Sequence, residues 1–207
     1  MLLFELLGIQ ESPMRIPSLV IPKLENYKEN KKLFKTLAQR TDKQFISHFN
    51  NVELWKICKG RETEIFGVIP SESYVGYYVR WELQESHFAD TNWCTQVLVW
   101  AGVSPQTKGL PDKIFFEYII PETGTVVSDG EQTVRGEHFW QRMIATAFST
   151  GNYKVYLIDF NRKKTKRIST YEDYRLLYES EHSPWGNKRG FHEGLRIAIS
   201  DYDFCQE

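Results

Sequence analysis

The chain has 207 residues, carries 26 Lys and Arg against 27 Asp and Glu, is 41% apolar and 14% aromatic, and contains three cysteines. At roughly 100–200 residues per domain this length fits one large domain, or one domain with a small N-terminal attachment, and the aromatic content excludes a disordered chain. The formal net charge of -1 gives no global pull toward nucleic acid or an anionic membrane, although local patches can hide in balanced totals.

The opening run MLLFELLGI is apolar but interrupted by Glu5, with no basic residue before Arg15 and no small-residue cleavage site. It reads as a docking or packing segment rather than a secretory signal, and implies a protein partner or self-association. No run reaches the ~18 apolar residues of a membrane span. Pro13, Pro17 and Pro22 bias the following stretch toward an extended connector. From Lys23 to Arg40, Leu24, Tyr27, Phe34, Leu37 and Ala38 recur at three- and four-residue steps, which predicts an amphipathic helix. Residues 1–50 are thus read as an N-terminal extended segment and helix, and 51–207 as the main α/β domain.

The runs TEIFGVI and YVGYYVRWEL, parted by Pro-Ser-Glu-Ser, predict an antiparallel pair. TQVLVWAGV and KIFFEYII, separated by SPQTKGLPD, predict two more strands. Ser128 and Glu131 have capping-box spacing ahead of a long helix whose one face is Gly136, Phe139, Trp140, Met143, Ile144, Ala147 and Phe148, stopped at Gly151. NYKVYLIDF predicts a strand, Thr170 and Asp173 a cap for a short Tyr-bearing helix, and GLRIAIS a closing strand. The fold class expected is α+β: a mixed, mostly antiparallel sheet flanked by helices, with an N-terminal helical extension.

Several constellations bear on chemistry. Cys58, Cys94 and Cys205 form no CxxC pair, so the simplest compartment is a reducing cytoplasm. Histidines 48, 87, 138, 182 and 192 share no ligand spacing, and His87 with Asp90 supplies too few ligands, so no metal site is predicted. NWCTQVLVW resembles the nucleophile segment of papain-like amidases, with Cys94 as the thiolate, His138, His182 or His192 as the base and Asp159 as its orienter. Val97, Leu98 and Val99 favour a strand there, and a buried structural Cys94 is the competing reading. Arg162, Lys163, Lys164, Lys166 and Arg167 lie between two strand-like runs, which predicts a basic hairpin tip, read first as a solvated turn, with contact to phosphates, as in a nucleic acid, as the alternative that is not favoured. Trp81, Trp93 and Trp100, with Tyr74, Tyr77 and Tyr78, line either a ligand pocket or the core.

The order of elements from Tyr74 onward, with KIFFEYII running toward TVRGEHFWQRMIATAF, then KVYLIDF, YEDYRLLY and Gly190-Phe191, is similar to the GNAT acetyltransferase superfamily. The family writes its phosphate turn as Gln/Arg-x-x-Gly-x-Gly/Ala. With Gly136 as the first glycine, Thr133 stands in place of Gln/Arg and His138 in place of Gly/Ala. The resemblance implies a splayed sheet, a pyrophosphate turn at Thr133, Arg135, Gly136 and His138 for acetyl-CoA or another acyl-CoA, Glu117 as proton acceptor and Tyr178 as proton donor to the leaving thiolate. The degenerate turn leads to a non-catalytic binding or adaptor protein on a GNAT-like fold as the first expectation. An acyl-CoA-dependent N-acyltransferase is the alternative, and a cysteine amidase using Cys94 the second.

Overall fold

The computed structural model describes residues 23–84, 93–101, 104–128, 134–180, 183–185 and 194–203. The N-terminal segment, the capping position Glu131, Gly190-Phe191, Cys205 and histidines 87, 182 and 192 lie outside the described residues. The described chain is α+β, with mixed, mostly antiparallel strands flanked by helices, and it divides into two compact units.

The first unit draws on residues 23–59, 63–79 and 98–110. The predicted helix forms as α1 (Lys23–Gln39) and buries Leu33 and Leu37. Lys43 closes its end, donating from Nζ to the carbonyls of Leu37 and Ala38 at 2.9 and 3.0 Å. A cation there meets both the orphan carbonyls and the negative end of the helix dipole. β1 (Gln44–Phe49) and β2 (Val52–Lys59) form an antiparallel hairpin turned at Asn50, whose φ of 53° suits asparagine. β3 (Glu62–Ile69) and the start of β4 (Tyr74–Gln84) follow as predicted, joined through a short 3-10 turn at Pro70–Glu72. Tyr77 and Tyr78 are buried, and Tyr78 donates to Glu64 at 2.8 Å while Lys59 pairs with the same carboxylate at 2.7 Å. The strand order is β1-β2-β3-β4.

The second unit draws on residues 60–62, 80–97 and 111–203. KIFFEYII, expected as a strand, is helical: α2 (Leu110–Ile114) runs through a π-helical turn (Phe115–Ile119) into α3 (Ile120–Thr123). The apolar spacing explains the difference. Ile114 and Phe115, then Ile119 and Ile120, are buried pairs five residues apart. A 3.6-residue turn cannot keep such pairs on one face, whereas an i to i+5 turn does. Thr123 ends the run by donating to the Ile119 carbonyl at 2.8 Å, and Gly124 follows with φ 71°.

β5 (Trp93–Ala101) pairs in parallel with β6 (Thr125–Val127). α4 (Val134–Thr150) is the predicted long helix, burying Trp140, Met143, Ile144 and Ala147, and Gly151 stops it at φ 68° with its N–H bonded to the Ala147 carbonyl at 3.2 Å. The capping box expected at Ser128 and Glu131 lies partly outside the described residues. The Ser128 hydroxyl accepts from the Ile197 N–H at 3.1 Å and its own N–H donates to the Ile197 carbonyl, which extends the sheet ladder. β7 (Lys154–Asp159) and β8 (Lys164–Ile168) form an antiparallel hairpin. α5 (Tyr171–Glu179) starts at a capping box in which Thr170 and Asp173 satisfy each other's backbone N–H. β9 (Leu195–Ser200) enters between β6 and β7, giving the order β6-β9-β7-β8.

Candidate functional site

The residues that the resemblance singles out fall on three elements of the second unit. Glu117 sits in the π-helical turn rather than on a strand, is exposed, and forms an i,i+4 ion pair with Lys113. Tyr178, at the end of α5, donates from its hydroxyl to Glu137 Oε1 at 2.8 Å, in the first turn of α4 and next to Gly136. That bond to a carboxylate raises the Tyr178 phenol above its ordinary value, so the proton is held. Gln141 donates to the same Glu137 oxygen at 3.2 Å. His138 is exposed, Arg135 contributes to α4 through its backbone, and Thr133 lies outside the described residues.

β6 precedes α4 in the chain and β7 follows it. β9 is hydrogen-bonded to both of them, so that Val126, Ile199 and Val155 lie in one row and Val127, Ala198 and Tyr156 in the next.

Cys94 is fully buried on β5, and burial pushes its thiol up to about 12. It is neutral at physiological pH and lies mid-sheet, not at a helix N-terminus, so the activated thiolate expected from NWCTQ is not formed. Asp159 accepts from the Arg162 N–H at 2.9 Å and so serves the hairpin turn. Trp81 is buried in the second unit, while Tyr74, Tyr77 and Tyr78 belong to the core of the first. Among the described residues no cluster of His, Cys, Asp and Glu has the grouping of a metal site.

The basic run forms the hairpin that its spacing predicts. Arg162 and Lys163 make the turn, Lys163 with φ 52°, and Lys164, Lys166 and Arg167 lie on β8, at the end of the strand order. All five are exposed. Arg162 lies 3.8 Å from Asp159 and Arg167 3.0 Å from Asp203. Lys163, Lys164 and Lys166 have no ion pair with any described residue.

A second cluster escaped the sequence reading. On β1 and β2 of the first unit, Phe45 packs edge-on to Trp55 at 5.4 Å and against His48 at 4.9 Å. Lys43 Nζ stands 5.2 Å from the Trp55 ring centroid, and the indole N–H donates to Glu53 at 3.1 Å. The available signal was the trio Phe45, His48 and Trp55 around an Asn-Asn turn, but a bulge hides its common face.

No protein-family model matches the chain, no curated protein matches it, and no solved structure matches it. Among the described residues no helix is long and apolar enough to cross a membrane.

Proposed function

We propose that the chain is a binding protein that engages a phosphate-rich polyanion, a nucleic acid backbone, through the β7–β8 hairpin. The observation that carries this reading is the set of five exposed cations in a six-residue span, three of them without an ion pair among the described residues. Like charges held this close repel one another, and the repulsion is relieved when phosphates replace the condensed counterions. The exposed edge strand also presents these side chains without any rearrangement of the helices.

Fluorescence anisotropy with a labelled oligonucleotide across a salt series tests it. The triple variant Lys163→Glu, Lys164→Glu, Lys166→Glu is expected to weaken binding at every sequence and to reduce the log K against log salt slope by about 2. Equal binding and equal slope in the variant would reject the hairpin.

The contact between Tyr178 and the first turn of α4 favours a second reading, an acyl-CoA-dependent N-acyltransferase on a GNAT-like scaffold. Isothermal titration with acetyl-CoA and coenzyme A is its test. Micromolar binding weakened by Gly136→Trp supports it, and no heat from either ligand removes it.

A further inference from the structure

The aromatic cluster of the first unit is built, not incidental. In the β1–β2 ladder Phe45 faces Trp55 and Ser47 faces Leu54, so Ile46 is an extra residue in β1. Without that bulge, Phe45 and His48 would point to opposite sides of the strand, because alternation has a period of two. With it, Phe45, His48, Trp55 and Glu53 share one side. Bulges on edge strands commonly re-aim a side chain in this way. Phe45 is 43% exposed, and β1 is the outermost strand of its unit.

The segment of chain that carries this cluster has one dominant sign of charge. Residues 23–59 carry nine Lys or Arg and four Asp or Glu, a formal +5 in a chain whose total is -1. Lys31, Lys32 and Lys35 are exposed on α1, whose C-terminal end is tied to the cluster by Lys43. Glu53, the acid within the cluster, is engaged by the Trp55 indole.

We propose that Phe45, supported by Trp55 and His48, is a stacking site for an unpaired nucleobase, so that the first unit binds single-stranded nucleic acid. A half-exposed ring on a rigid edge strand offers its face to a base, and surrounding cations track the backbone, the pairing used by sequence-tolerant single-strand binders. A neutral sugar or a proline-rich peptide would use the ring but leave the +5 unanswered. A duplex would use the charge but leave the ring idle, since its bases are already stacked. The choice of single strands rests on the polyanion reading, while the stacking site stands on the first unit alone.

The test is anisotropy with three labelled probes of equal length: an oligo-dT strand, an abasic strand with the same phosphates, and a mixed-sequence duplex. The wild-type chain is expected to bind oligo-dT more tightly than the abasic strand. Phe45→Ala should weaken oligo-dT binding by about 5- to 100-fold, leave abasic and duplex binding unchanged, and be rescued by Phe45→Tyr. Unchanged thermal melting in Phe45→Ala excludes misfolding. Equal binding of oligo-dT and abasic strands, unaffected by Phe45→Ala but lowered by charge reversal of the β7–β8 hairpin, overturns the stacking site and leaves the polyanion reading intact. Loss with Phe45→Ala but not with the hairpin variant upholds stacking and overturns the hairpin. No binding of any probe overturns both.

Discussion

At the scale of single residues, physical constraints rather than chemistry decide most of the positions that looked catalytic. Cys94 is the clearest: its thiol stays protonated to about 12, so alkylating reagents should not reach it in the native protein. Cys94→Ser is expected to leave the rapid phase of thiol labelling unchanged, whereas replacing the exposed Cys58 should diminish it. Asp42 behaves oppositely. Its bond from Arg40 Nε at 2.6 Å holds the carboxyl down to about 2. Because the folded value is depressed, the pair's contribution is present above the ordinary value near 3.9 and is lost as pH falls through about 2. An NMR titration should find this midpoint, and Arg40→Ala should return it toward the ordinary carboxylate range. Gly124 carries a steric demand as well as a conformational one. At φ 71° an added Cβ would lie 2.5 Å from a ring atom of Tyr202, so Gly124→Ala should destabilise the fold by about 1–3 kcal/mol in urea unfolding.

At the scale of elements, the Thr170 cap was legible because its mechanism is local. Thr170 and Asp173 stand three apart before an amphipathic run, and both halves of the box form. Thr170→Ala should cost about 1 kcal/mol and lower α5 helicity, which chemical denaturation and circular dichroism can read. KIFFEYII was not legible for the converse reason. A short run of Ile, Phe and Tyr satisfies strand propensity, and only its five-residue recurrence, which belongs to a π-helical turn, betrays the helix. β1 was missed because the bulge at Ile46 breaks the alternation by which a strand is recognised. The same irregularity concealed the aromatic cluster, so the candidate site and the unread strand share one cause. The basic hairpin, whose signal is composition bounded by two apolar runs, survived intact.

At the scale of the whole molecule, a near-zero total conceals an uneven distribution of charge. The +5 on residues 23–59 must be offset elsewhere in a chain of -1, so bulk measures such as the isoelectric point say little about polyanion binding. Reversing the exposed Lys35 to Glu should lower the salt slope for oligo-dT with little change in thermal stability.

β9 carries a different consequence. It is the last described strand to be made, yet it sits between β6 and β7 and supplies hydrogen bonds to both. During synthesis, therefore, β6, α4 and the β7–β8 hairpin leave the ribosome with a gap where their shared neighbour belongs. Their facing edges remain unpaired until residues 195–200 emerge. A released chain truncated before residue 194 should be protease-sensitive across 125–168 and should recruit chaperones that recognise open strand edges, while the 207-residue chain should be protected there.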